Sequence, residues 1–486
     1  MRRTKIVCTI GPASSSDAVL ERLIRSGMNV ARLNFSHGDH ASHAVLIRKI
    51  REIAAKLNEP VAILQDLCGP KIRLGLLPEE GVVLRDGDQV ALCASDQGVE
   101  DALPVDCPGF YDDVAVGDVI MLADGLMELR VEALEAPRVL CRVVRGGTAY
   151  RRKGVNLPHS DLKIPAFTEK DREDLRFGLE QGVDIVALSF VRRGEDLDEV
   201  RSILAAAPEP VKLIAKIEKP QAVEHFEGIL QRVDGVMIAR GDLGVEVPLE
   251  TVPVLQKQLL ARARRRGRLT ITATQMLSSM VASPRPTRAE ATDVANAIYD
   301  GTDALMLSDE TASGAFPVEA AQTLDRIARA TEPYVPATLA MEMPELDVDV
   351  SVARAIGRAS GWVANDLKAA AILAYTGSGF TALCVAGFRP LCPVVALSPS
   401  ARTCRQLNLV WGVRPVQVET LTTADALFVT ARRWSLASGL AKNNDRIVVT
   451  AGTPLWRPGS TNLVKVIELG KGMAVRRHDE EEQQEG

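Results

Sequence analysis

Lys212-Leu-Ile-Ala-Lys-Ile-Glu218 is the stretch from which the fold is read most directly. Its first six residues form a short β-rich run. Lys216 and Glu218 stand two apart, so on a strand both side chains point the same way and can address one site. Seven further runs of this kind flank it: Lys5 to Ile10, Asn29 to Leu33, Val61 to Asp66, Asp184 to Phe190, Gly235 to Ala239, Leu269 to Ala273 and Ala304 to Leu307. Their apolar character is nearly continuous rather than alternating, as expected of strands covered on both faces. Helical stretches lie between them. Asp17 to Ser26 stops at Gly27, which suits a left-handed cap, and Glu169 to Gln181 stops at Gly182 and follows Thr168, with Asp171 three residues on. This alternation predicts an α/β chain built on a (β/α)8 TIM barrel.

One interval breaks the rhythm. From Gly69 to Lys163 the residues read as short strands punctuated by Asp86-Gly87, Gly117-Asp118, Asp124-Gly125 and Gly146-Gly147. It is a β-rich domain inserted after the third barrel strand, placed to act as a lid that excludes water. After an acidic, Pro-containing stretch from Met341 to Asp349, the alternation resumes with a helix from Ser351 to Leu367 and strands starting at Ala370, Val394, Val413, Arg446 and Val464. The division expected is therefore barrel over 1–68 and 164–340, β-rich lid over 69–163, C-terminal open α/β domain over 341–472, and a charged disordered tail over 473–486.

Composition narrows the function. A net charge of −5 and a pI near 5.9 leave no basic footprint for nucleic acid. The cluster Arg262 to Arg268 reads as cations at a helix C-terminus. No apolar run approaches the roughly 20 residues that span a bilayer. Eight scattered cysteines without a CxxC pair fit a reducing, cytoplasmic setting. His37, His40 and His43 fall three apart, which only partly shares a helical face and is not metal-site spacing.

Barrels carry their chemistry at the C-terminal ends of the strands. Here those ends are Thr9-Ile-Gly-Pro12, Arg32-Leu-Asn-Phe-Ser-His-Gly38, Asp66, Ser189-Phe-Val-Arg192, Lys216-Ile-Glu218, Arg240-Gly-Asp242, Thr274-Gln-Met276 and Ser308-Asp-Glu310. Cations (Arg32, Arg73, Lys216) stand among carboxylates (Asp66, Glu218, Asp242, Glu310), a mixture that suits an anionic substrate bridged to a hard metal. Mg²⁺ takes oxygen ligands, commonly one or two carboxylates plus substrate oxygens, and Glu218 with Asp242 is the candidate pair.

Six stretches resemble the pyruvate kinase family in order and spacing: Thr4-Lys-Ile-Val-Cys-Thr-Ile-Gly-Pro12, Met28-Asn-Val-Ala-Arg-Leu-Asn-Phe-Ser-His-Gly38, Lys153-Gly-Val-Asn-Leu-Pro158, Ile214 to Glu218, Ala239-Arg-Gly-Asp-Leu-Gly-Val-Glu246 and Thr272-Ala-Thr-Gln-Met-Leu277. The resemblance implies a catalytic barrel, an inserted lid, a regulatory α/β domain and a homotetramer. It implies phosphoenolpyruvate and ADP as substrates, with Arg32 and Lys216 gripping the phosphoryl group. Glu218 and Asp242 would hold Mg²⁺ or Mn²⁺. The backbone from Ala239 through Arg240 and Gly241 to Asp242, with the Thr274 hydroxyl, would orient the substrate carboxylate. Thr9, Pro12, Asn34, His37, Arg73 and Lys153 would face the nucleotide, and a water relay near Thr274, Ser308 and Glu310 would protonate the enolate.

Two regions depart from the family pattern. The family's monovalent site corresponds to Asn34, Ser36, Asp66 and the residue after it, commonly Thr but here Leu67. Lys71 stands where K⁺-requiring members carry Glu, so its ammonium is expected to replace K⁺. In the C-terminal domain, Thr376-Gly-Ser-Gly-Phe-Thr-Ala382 resembles a hydroxyl-rich effector loop, with Thr376, Ser378 and Thr381 as candidates for a sugar-phosphate or nucleotide. Phe380 takes a usually basic position there, and Trp456 to Ser460 is expected to form a neighbouring loop. Rival readings of the charged ring are a metal-dependent barrel lyase or aldolase acting on 2-oxo acids, and a catalytically silent effector-binding homologue.

Overall fold

The computed structural model describes residues 2–158, 164–335, 351–455 and 460–470. The expected end of the lid at Lys163, the 341–349 linker, most of the 456–460 loop and the tail lie outside the described residues. The chain divides into two compact units, Met1–Leu339 with Asn408–Trp411, and Ala340–Leu407 with Gly412–Gly486.

In the first unit eight parallel strands close into a barrel: β1 (Lys5–Thr9), β2 (Val30–Asn34), β3 (Ala62–Asp66), β4 (Ile185–Leu188), β5 (Lys212–Ile217), β6 (Gly235–Ala239), β7 (Leu269–Ala273) and β8 (Ala304–Leu307). Each pairs with its neighbours in sequence, and β8 closes on β1 through Lys5 opposite Ala304. The strand period of two separates two faces. Ile63, Leu188, Ala215, Ile217, Val236, Ile238 and Leu305 pack into the hydrophobic layer beneath the helices. Alternate positions, among them Arg32, Leu64, Asp66, Ala187, Lys216 and Met237, therefore face the barrel interior.

The bounds expected from sequence hold for β5 to β8 and contract for β4. Asp184 drops out of β4 as its carboxylate turns to accept the Ile63 amide at 2.9 Å and the Arg51 guanidinium at 2.7 Å. At the other end, Phe190 leaves the strand with a φ of 55°. The helix Glu169–Glu180 has the expected capping box between Thr168 and Asp171, and Asp17–Arg25 is followed by Gly27 at φ 98°. Each carboxylate or hydroxyl cap satisfies an amide left open in a first helical turn.

After β3 the chain turns at Gly69, whose φ is 66° and where a Cβ would come within 2.8 Å of the Phe190 ring. Only glycine fits so close an approach in that conformation. The β-rich insertion then forms a six-stranded sheet with Met127–Glu135 and Arg138–Arg145 at its centre, and a two-stranded pair of Val82–Leu84 with Gly147–Ala149. Its own core gathers Leu74, Leu92, Phe110, Leu129, Val131 and Cys141.

The second unit is an open α/β sheet in the order Val413–Gln417, Val394–Ser398, Ala371–Tyr375, Arg446–Gly452, Thr461–Glu468. The first four strands run parallel and the last is antiparallel to Arg446–Gly452. Parallel neighbours need crossover connections, which Phe380–Ala386, Ala401–Leu407 and Ala424–Ala437 help supply.

Candidate active site

The interior-facing charges meet at the C-terminal mouth of the barrel. Arg32 of β2 donates through Nε to Asp66 Oδ2 at 2.7 Å and through a terminal nitrogen to Thr9 Oγ1 at 2.9 Å. Thr9 Oγ1 in turn donates to the Leu307 carbonyl at 2.8 Å. Lys216 Nζ lies 2.8 Å from Glu218 Oε1, 2.8 Å from Ser189 Oγ and 3.4 Å from Asp66 Oδ1. Strands β1 to β5 and the end of β8 are thus stitched together by one polar network. Its acceptors leave the ammonium held as a fixed cation.

The electrostatics follow from burial and pairing. Burial alone would lower the Lys216 ammonium, but Asp66 and Glu218 outweigh it and hold it above the usual lysine range. Burial alone would raise Asp66, yet Lys216 and Arg32 keep it below the usual carboxylate range. For Glu218 burial prevails, and against the pull of Lys216 the repulsion of Asp242 adds to the rise. Two carboxylates that repel one another beside a cleft are a setting that a divalent cation relieves. Glu218 and Asp242 could supply the hard oxygens that Mg²⁺ takes.

A cleft of about 420 Å³ opens beside this network. Asp242, Thr274, Ser308 and Glu310 line it from the barrel, and Lys71, Asp124 and Asn156 from the β-rich insertion. Three residues on its wall, Phe190, Thr274 and Gln275, have φ of 55°, 66° and 56°. Non-glycine residues held in that region cost about 1–3 kcal/mol each and cluster where function requires an exact placement. Thr274 Oγ1 accepts the Gly241 amide at 2.7 Å, joining the ends of β6 and β7. Glu310 is buried and fully engaged, accepting the amides of Leu277 at 3.0 Å and Ser308 at 2.7 Å. The Ser308 hydroxyl is buried with no partner among the described residues.

The remaining candidates sit in different settings. Ala239 ends β6, and the Arg240 side chain turns away from the cleft to Asp293 at 2.7 Å and the Thr274 carbonyl at 2.9 Å, leaving only its backbone to face a substrate. Pro12, His37 and Lys153 are exposed, and Arg73 is tied to the Arg152 carbonyl at 3.0 Å. None of these four, nor Thr9 or Asn34, lines the cleft. Asn34 Oδ1 holds the Ser36 amide at 3.1 Å, Asp66 is committed to two cations, and the Leu67 side chain is buried, with its carbonyl accepting Ser189 Oγ at 2.7 Å. His40 binds Asp174 and His43 the His37 carbonyl, and the described residues contain no group of three or more His, Cys, Asp or Glu side chains placed to hold a metal ion. In the second unit the Thr376 hydroxyl accepts the Gly379 amide at 2.9 Å, Thr381 pairs with Thr461 at 2.7 Å, and Ser378 is exposed.

Sequence reading missed Lys219, Glu246, Asn156 and Asp124. Lys219 directly follows Glu218, and Glu246 and Asn156 lie inside two of the motif stretches, so their positions were signalled although their pairing was not. Among the described residues no helix is long and apolar enough to cross a membrane.

The chain is similar to known proteins over most of its length. Residues 1–321 match the family model described as pyruvate kinase, barrel domain, and residues 354–467 that described as pyruvate kinase, alpha/beta domain. The chain is 48% identical over 483 residues to pyruvate kinase 2 of Synechocystis, covering 98% of this chain and 81% of that protein. It is 44% identical over 484 residues to a pyruvate kinase of Geobacillus stearothermophilus, covering 98% and 82%. With a closed barrel whose strand ends carry a charged ring, and with matches that run through both units, the chain belongs to the pyruvate kinase family.

Proposed function

We propose that this chain transfers the phosphoryl group of phosphoenolpyruvate to ADP. The bond from phosphorus to the enol oxygen breaks, a bond to a terminal oxygen of the ADP β-phosphate forms, and the released enolate takes one proton at its methylene carbon to become pyruvate. The observation that carries this reading is Lys216, an ammonium fixed among Glu218, Ser189 and Asp66 at the barrel mouth. Phosphoryl transfer demands positioning and charge stabilisation rather than a nucleophile. Lys216 and Arg32 supply the positive charge that meets the transferring oxygens. Gly241, Asp242 and Thr274 orient the carboxylate end, and Ser308, with its unengaged hydroxyl, positions the water that protonates the enolate. Glu310 holds the Ser308 and Leu277 amides and so fixes that hydroxyl.

Glu218 and Asp242 would hold Mg²⁺ or Mn²⁺, which would supply Lewis-acid stabilisation of developing negative charge. Thr9, Pro12, Asn34, His37, Arg73 and Lys153 form the nucleotide side. Lys71 takes the place of K⁺: it lines the cleft, while Asp66 of the monovalent set is already neutralised by Arg32 and Lys216. Formation of pyruvate from phosphoenolpyruvate and ADP, followed through lactate dehydrogenase, tests the reaction, and no pyruvate at saturating Mg²⁺ refutes it.

Finer parts of the reading have their own tests. The insertion is a lid over 69–163, and the 341–472 domain carries an effector loop at Thr376, Ser378 and Thr381 for a sugar phosphate or nucleotide. Ser378→Asp would abolish activation by such compounds, and unchanged activation refutes the assignment. The homotetramer is checked by light scattering. The eight cysteines, none of them in a disulfide, are in keeping with a cytoplasmic setting, where thiols stay reduced.

A further inference from the structure

We propose that the short helix Arg240–Glu246 couples the seat of the β-rich insertion to Asp242, with Glu246 as the positioning residue; this rests on the reading of Glu218 and Asp242 as the divalent site. The C-terminal end of the helix meets the insertion twice. Asn156, on the returning strand, donates through Nδ2 to Glu246 Oε1 at 2.8 Å. The Asp124-Gly125 turn reaches Val245, so that a Cβ at Gly125 would lie 3.4 Å from Val245 Cγ1. Glu246 Oε1 also receives Lys219 Nζ at 2.7 Å, and Lys219 follows Glu218 directly. One buried oxygen therefore gathers a donor from the insertion and a donor from the segment bearing a divalent-site carboxylate.

The N-terminal end of the same helix carries Gly241 and Asp242, and the Gly241 amide is fixed on Thr274. Seven residues of continuous helix thus join the insertion's seat to the second divalent-site carboxylate. Glu246 Oε2 is buried without a hydrogen-bond partner among the described residues. A buried ion pair with one oxygen left unsatisfied contributes little net stability, and its use is to fix geometry. When Asn156 withdraws, Glu246 loses one of the two donors that hold its orientation and keeps only Lys219, and the change passes to Lys219 and along the helix to Asp242.

Because coupling is reciprocal, two readings of the full-length protein test it. Mn²⁺ alone is titrated by the loss of its free-ion EPR signal, and trypsin cleavage of the insertion is timed with and without Mn²⁺. Asn156→Ala is expected to weaken Mn²⁺ binding by at least about fivefold and to reduce the protection that Mn²⁺ gives the insertion. The double variant Asn156→Ala with Glu246→Gln should bind Mn²⁺ no more weakly than Glu246→Gln alone. Unchanged Mn²⁺ affinity and protection in Asn156→Ala, or additive losses in the double variant, would overturn the coupling. Asn156→Ala suffices if Glu246→Gln does not fold. Failure of the parent protein to bind Mn²⁺ would overturn the divalent site and the coupling with it.

Discussion

Lys216 and Glu218, two residues apart at the end of β5, meet at 2.8 Å through Nζ and Oε1. The lysine is thereby aimed beside the carboxylate that faces Asp242, so the cation proposed for the phosphoryl group and the ligand proposed for the metal come from one strand end. Same-face spacing makes this arrangement possible without any loop.

Glu218→Gln and Asp242→Asn each remove one anionic oxygen donor while preserving shape. Both variants should bind Mn²⁺ at least about tenfold more weakly than the parent, since even outer-shell changes cost that much. Titration by EPR measures it, and parental affinity in either variant removes that residue from the site.

Lys71 offers a charge reversal as a test. With tetramethylammonium as the only other monovalent cation, the parent enzyme should show the same rate with and without K⁺. Lys71→Glu should be slow until K⁺ is added. A parent enzyme strongly activated by K⁺ would contradict the assignment.

Much of this site was legible in the residues themselves. Arg32, Asp66, Lys216 and Asp242 stand at strand ends that hydrophobic runs delimit, and the barrel rule selects those ends. What could not be read was which neighbours share a partner. Glu246 collects Asn156 from 90 residues earlier, a contact set by the return path of the insertion and not by local pattern. The contraction of β4 was hidden for a related reason. Asp184 and Phe190 border an apolar run, yet an Asp184 contact to Ile63 and a positive φ at Phe190 end the strand inside it. The hydroxyls of Thr376 and Thr381 look free in sequence and are engaged within the fold.

Lys5, at the opposite end of the barrel from the cleft, makes a pH-dependent prediction. Burial, reinforced by Arg2 and opposed by Glu332 and Asp303, brings its ammonium down to about 7. In the unfolded chain it keeps its proton up to its ordinary value of 10.5. Between those values the unfolded state binds more protons, so Lys5 makes stability rise with pH, by at most about 1.4 kcal/mol per pH unit. Lys5→Met lacks this rise. Urea unfolding should find the variant's advantage over the parent shrinking from about pH 7 to about pH 9, and a constant difference would contradict the buried, neutral lysine.

Lys216 is the cation proposed to meet the phosphoryl group in transfer. Steady-state turnover of phosphoenolpyruvate and ADP, compared between the parent and Lys216→Met at saturating Mg²⁺, measures that role. Loss of one preorganised charged donor should lower kcat by roughly 10²-fold or more. A variant that is folded, binds Mn²⁺ and turns over at a near-parental rate would contradict it.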